Sequence, residues 1–158
     1  MPLGRLFRKA ANAALPSTPA VMSLLIISKI MDHSGQITVL ALGIAAITTG
    51  VVFLGLSSLI GLLGAFITSS NTSSNVLFAP LQATVARALD VPVELVLAAQ
   101  SAGGATGNSI SPSDVLMGAT TAGVPNQLGD ILKRAIPWAL ATCTLIGVTT
   151  VVLYILAY

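Results

Sequence analysis

Residues 136–158 read IPWALATCTLIGVTTVVLYILAY, and this stretch decides the fold, because 23 residues pass without a charge. About 20 apolar residues cross a hydrocarbon core of ~30 Å. Trp138, Tyr154 and Tyr158 stand near its two ends, where amphipathic rings favour the headgroup level. Pro137 is tolerable in a first helical turn. Residues 136–158 therefore form a final membrane span. The composition agrees: of 158 residues, 54% are hydrophobic and 8% charged, against about 25% charged in a soluble domain. So few charges cannot cover a surface that faces water. Disorder is excluded too, since it needs high charge and low hydrophobicity. One cysteine, Cys143, excludes a disulfide framework and a cysteine zinc cluster. The net charge of +2, from seven basic and five acidic residues, is too small for a nucleic-acid groove.

Upstream of that span, residues 93–124 read as a crossing in two pieces. Glu94 to Gln100 is a short apolar helix, SAGGATGNSISP at 101–112 interrupts it, and Val115 to Val124 resumes it. Each half is about 15 Å long, so together they make roughly one crossing. Gly103, Gly104 and Gly107 allow positive backbone torsions. Ser111 or Ser113 is placed to cap the renewed helix, with Asp114 at its positive end. The expectation is a discontinuous membrane helix over 93–124. A Gly/Ser-rich surface linker, the alternative, would carry more charge and lie between complete spans.

Further upstream, residues 36–68 hold no charge over 33 positions. As one helix they would measure roughly 50 Å, so the run must break or tilt, and helix propensity falls between Thr49 and Ser58. That leaves a span over 37–53 and a second element, Leu56 to Thr68, of about 20 Å, too short to cross. The polar string TSSNTSSN at 68–75 follows, then a short apolar segment from Val76 to Leu89 broken by Pro80. Two half-length arms around a polar tip predict a re-entrant hairpin over 56–89, the alternative being a water-exposed loop between two spans. Non-helical backbone at membrane depth must be buried or face a water-filled cavity, because an unsatisfied group in lipid costs several kcal/mol. At the amino end, Arg5, Arg8 and Lys9 precede an apolar stretch over 15–31 that contains Pro16, Pro19 and Lys29. No small-residue cleavage site ends it, as a signal peptide would require. Residues 1–14 read as a basic flank and 15–31 as a first span, all within a single membrane domain, 1–158. Four basic residues on one side against two on the other favour a cytoplasmic amino terminus.

The two breaks are where chemistry is expected. Half-helix ends present unpaired amides and carbonyls, each end carrying roughly half an elementary charge. Such amides hold anions, and secondary transporters place such breaks near the midplane. Neutral hydroxyls and amides suit a small hydrophilic anion. The candidate binding residues are Ser70, Asn71, Thr72, Ser73, Ser74 and Asn75 at the first break. At the second they are Gln100, Gly103, Gly104, Thr106, Gly107, Asn108, Ser109 and Ser111. No cofactor and no metal is called for. An enzyme is disfavoured, since no Ser–His pair, clustered acids or metal-ligand spacing falls at membrane depth.

Three blocks, in order, carry a family resemblance: KIMDHSG at 29–35, GAFITSSNTSSNVLFAPLQ at 64–82 and AAQSAGGATGNSISP at 98–112. They resemble the lactate permease family over nearly the whole chain. The resemblance implies a multi-pass symporter of the bacterial inner (plasma) membrane that takes up lactate, or glycolate in some members, with protons. It further implies a broader ion-transporter group with a Ser-Asn-Thr hairpin tip, matched here by Ser70-Asn71-Thr72, and an unwound helix facing it, matched by residues 103–112. In that group a transport domain is thought to move against a fixed scaffold. Two positions depart from the pattern: Ser69 stands where members commonly have Gly, and Asn71 where several have Asp. Members are also several times longer, so the chain corresponds to a carboxy-terminal portion, half of an inverted-repeat transporter. The missing amino-terminal half, or a second copy, would complete the site. A sodium ion could replace the proton as coupling ion, and a non-transporting membrane scaffold or assembly subunit is the rival reading.

Among the remaining residues, Asp114 reads equally as a functional intramembrane acid or a first-turn acid favoured by the dipole. Asp32 and His33 read as a solvated turn, Lys29 as snorkelling to the interface, and Arg87, Asp90 and Glu94 as a solvated linker. Cys143 reads as a small apolar filler. Gly43, Gly61 and Gly64 are expected to permit close helix packing.

Overall fold

The computed structural model describes residues 4–6, 8 and 17–158; the rest of the basic flank 1–14, and residues 15 and 16 at the start of the first span, lie outside the described residues. From Ser17 onward the helices are α1 (Ser17–His33), α2 (Gln36–Ile47), α3 (Gly50–Thr68), α4 (Asn71–Ala88), α5 (Val93–Ser109), α6 (Pro112–Thr121) and α7 (Leu128–Ala157), with a 3-10 turn at Pro125–Gln127 before α7. The described residues contain no strand, and the protein is an all-α membrane chain. Among the described residues two helices, α3 and the long α7, are apolar and long enough to cross a bilayer. The segments Val21–His33 and Gln36–Ile47, bent by 71° at their junction, make up a third, broken candidate. At that bend Gly35 takes a φ of 77°, a left-handed torsion that costs glycine nothing. The His33 ring meets the Lys29 carbonyl at 3.0 Å and closes the end of α1.

The run over 36–68 does break, but not where its propensity is lowest. Helix α2 stops at Ile47, Thr48 and Thr49 are extended, and α3 then runs from Gly50 through Gly55, Ser57 and Ser58 to Thr68 without interruption. The two threonines are β-branched and favour extended backbone. Tertiary contacts hold the weak helix formers downstream. Ser57 donates to the Leu54 carbonyl at 2.7 Å and Ser58 to the Cys143 carbonyl at 2.9 Å. With 19 residues α3 is roughly 28 Å long, so the expected short arm from Leu56 is part of a helix of full crossing length. Helix α2, with 12 residues, is the short one. At the carboxy end α7 begins at Leu128, eight residues before the uncharged run, so Pro137 lies in its interior and not in its first turn.

Helix α3 is the centre of the bundle, packed between α4, α5 and α7. Near its Gly50 end the core is Phe53, Leu54, Val85, Ala86 and Val96. Toward the other end it is Leu62, Ile110, Ala139 and Cys143. Between these clusters α3 and α5 meet backbone to backbone. A methyl group built on Gly103 would overlap the Ser58 carbonyl, one on Gly107 the Leu62 carbonyl, and one on Gly61 the Gln100 carbonyl. Gly147 of α7 likewise lies on the backbone of Gly55. Helices in lipid gain little from apolar burial alone, and small residues let them approach to full van der Waals contact. The outward faces carry Ile26, Ile30, Val39, Ile47, Leu145 and Leu156, all exposed, as a surface meant for lipid would.

Candidate functional site

Both expected unwound stretches are narrower than their composition suggests. Of the polar string 68–75, only Ser69 and Ser70 are non-helical, and Asn71 already opens α4. Ser69 adopts left-handed backbone with φ 51°, which ends α3. The extended Ser70 caps α4, its hydroxyl oxygen accepting the Ser73 N–H at 3.1 Å. The Thr68 hydroxyl lies at 3.0 Å from the Ser70 carbonyl. At the second break, α5 continues through Gly103, Gly104, Gly107 and Asn108 to Ser109, and only Ile110 and Ser111 are non-helical. The expected unwinding over 101–112 is thereby corrected. Gly103 and Gly107 pack their bare faces on α3 and Gly104 on Asn71 of α4, and opening the helix there would break those contacts. Ser111, fully buried, caps α6 by accepting the Asp114 N–H at 3.4 Å. Asp114 thus stands in a first helical turn.

The hairpin arms and α5 enclose a network of uncharged polar groups. Gln100 and Gln82 are buried at 0% and 1% exposure. The Gln82 amide donates both to the Gln100 side-chain oxygen and, at 3.2 Å, to the Ser57 carbonyl. The Gln100 amide donates to Ser74 Oγ at 3.2 Å and to Asn75 Oδ1 at 3.4 Å. Ser74 donates onward to the Gly61 carbonyl at 3.1 Å. The Asn75 amide reaches Asn71 Oδ1 at 3.3 Å and Ser101 Oγ at 3.2 Å. Asn71 Oδ1 itself occupies the space where a Cβ on Gly104 would stand, so a side chain there would displace the asparagine. One atom is left over: Gln82 Oε1 is buried and has no hydrogen-bond partner. A buried amide oxygen without a donor costs about 1–3 kcal/mol, so this acceptor is poised for a donor from elsewhere.

Of the sequence-derived residues, Asn71, Ser74, Asn75, Gln100 and Gly104 converge on this network. Ser73 is buried beside it, while Ser70 is the cap and Thr72 is exposed. Gly103 and Gly107 form the α3 contact. Thr106 and Ser109 turn back on their own helix, bonding the Ala102 and Thr106 carbonyls at 3.2 and 2.7 Å. Asn108 is half-buried. Three members had not been singled out from the sequence: Gln82, Ser57 and Ser101. The first was legible, since Asn71, Asn75, Phe78 and Gln82 recur at the spacing of one helix face. Ser57 had a weaker signal, a hydroxyl inside an otherwise apolar span. Every hydrogen-bonding group here is an amide, a hydroxyl or a backbone carbonyl, a set that binds by hydrogen bonds and offers no nucleophile–base pair. Among the described residues, no three His, Cys, Asp or Glu stand together as a metal site would require.

Comparison with known proteins supplies the context. A family model described as L-lactate permease matches residues 3–157. The L-lactate permease of Salmonella typhi is 38% identical over 130 residues, covering 82% of this chain and 23% of its own length. The glycolate permease of Escherichia coli K12 is 36% identical over 121 residues, covering 77% and 21%. The L-lactate permease of Bacillus subtilis is 30% identical over 147 residues, covering 93% and 26%. The chain thus spans about a quarter of the length of these relatives or less. No solved structure matches.

Proposed function

This chain belongs to the L-lactate permease family, and on that premise we propose that it forms one part of the translocation site of a secondary transporter for lactate or a related small 2-hydroxy monocarboxylate such as glycolate. Family membership makes it a multi-pass protein of the bacterial inner membrane, and a transporter, not an enzyme. The observation that carries the substrate reading is the buried network of Ser74, Asn75, Gln82 and Gln100, with its unpartnered acceptor. A 2-hydroxy monocarboxylate brings both complements: its hydroxyl donates, as Gln82 Oε1 requires, and its carboxylate accepts from amides and hydroxyls. In this reading the α3–α4 hairpin, turned at Ser69–Ser70, and the α5–α6 junction carry the site between them. A complementary half, from a further segment or a second copy, closes it from the other side. The proton is the coupling ion.

Uptake of labelled lactate by the intact transporter in proteoliposomes tests this reading. Replacing Asn71 and Asn108 together by alanine is expected to lower the initial rate at least about tenfold, the worth of one or two hydrogen bonds to a charged ligand. Uptake by that double variant at the wild-type rate would refute the assignment. Uptake driven by a sodium gradient and indifferent to a proton gradient would replace the coupling ion.

A further inference from the structure

Beside the amide network lies a second space that the proposed site does not use. A cavity of about 340 Å³ opens between α1 and α4, bordered by Leu97 of α5, and its polar wall is Ser28, Lys29 and Asp32 of α1 together with Asn75 of α4. That volume lies within the range of about 300–1,000 Å³ usual for small-molecule sites. Leu25, Ser28, Lys29 and Asp32 fall on one face of α1 at helical spacing, and that face borders the cavity. Asn75 belongs to both places. It lines the cavity, while its Oδ1 accepts from Gln100 and its amide donates to Asn71 and Ser101. Both hydrogens of the Asn75 amide are already donated, so from the cavity side only the second lone pair of its Oδ1 is open, to a donor, one hydrogen bond from the buried Gln100.

We propose that this cavity is an anion site in which the Lys29 ammonium pairs with the substrate carboxylate and the second lone pair of Asn75 Oδ1 accepts the ligand's hydroxyl. The inference rests on the transport reading and adds to it the charge that reading lacks. Amides and hydroxyls can bond a carboxylate but cannot neutralise it, and a charge taken from water into a low-dielectric site needs an opposite charge. Lys29 supplies one. Lys29 and Asp32 are both exposed and border the cavity from the carboxy-terminal half of α1. Asp32 gives the arrangement its second property. It leaves the empty cavity neutral overall and opposes a bound anion, which keeps the site weak enough to release what it takes in.

The two charges predict effects of opposite sign. Equilibrium binding of L-lactate to the intact protein in nanodiscs is expected to weaken about tenfold or more in Lys29→Gln, to stay within about threefold in Lys29→Arg, and to tighten in Asp32→Asn. Lactamide, the uncharged amide of the same acid, is expected to bind wild type and Lys29→Gln alike. Equal losses of lactate and lactamide in Lys29→Gln, or weaker lactate binding in Asp32→Asn, would show that these residues only hold α1 in place and would overturn the inference. So would lactate bound equally by wild type and Lys29→Gln, even though transport itself would stand. If wild type bound no lactate at all, the transport reading would fall, and this one with it.

Discussion

Two groups of glycines in this molecule look alike in sequence and behave in opposite ways. Gly61, Gly103 and Gly107 lie in the α3–α5 seam, where a single added methyl would run into a carbonyl of the facing helix. Gly43 of α2 and Gly118 of α6 have nothing within 4 Å of where a side chain would begin. Gly43 had been expected to pack as Gly61 and Gly64 do; Gly61 and Gly64 are in close contact and Gly43 is not. The contrast teaches that a missing side chain matters for packing here only where a neighbour, backbone at Gly61 and Gly103 or side chain at Gly64, occupies its place. Glycine in a membrane helix is not by itself a sign of unwinding.

The comparison can be broken most directly at Gly103. Gly103→Ala is expected to cost about 3 kcal/mol, since the obstruction is backbone and cannot swing aside. Unfolding in detergent followed by circular dichroism would measure it, and a loss no larger than at Gly43 would dissolve the distinction. Next come the two glutamines bridging α4 and α5. Gln100→Leu should cost about 2 kcal/mol by leaving one hydrogen of the Gln82 amide without its acceptor while the other stays on the Ser57 carbonyl. The double variant Gln82→Leu with Gln100→Leu should cost less than the sum of the singles, and additivity in that cycle would deny that the two act as one unit. Ser69→Gly is a smaller effect of the other sign. A serine in left-handed backbone, φ 51°, is strained where glycine is not, so the variant should gain about 1 kcal/mol. Last, Gly43→Ala should gain about 0.8 kcal/mol from helix propensity alone, and a loss there would place an unseen neighbour on α2.

Much of this was legible in the sequence. Runs of 23 and 33 residues without charge required lipid, and lipid permits only elements that satisfy their own backbone, so the helices followed. The positions of the breaks were legible only to within several residues. Thr48 and Thr49, not the glycine and serines after them, end α2, because the later residues are held helical by α5 and α7. The candidate site was half legible. Asn71, Ser74, Asn75 and Gln100 were chosen for their polarity in an apolar context, and they do come together. Gln82 and Ser57 complete the network, yet they lie outside the polar strings and count only once α3, α4 and α5 are packed.

The sequence by itself determined the solvent, the helical class and the place near Ser111 where a serine could restart a helix, because charge density and capping chemistry are local properties. Tertiary structure alone decided whether Gly103 and Gly107 open the chain or close it against a neighbour. Both outcomes draw on the same physical fact, the absence of a Cβ. Which one prevails depends on a carbonyl more than forty residues away at Ser58 or Leu62, and no window around the glycines contains it.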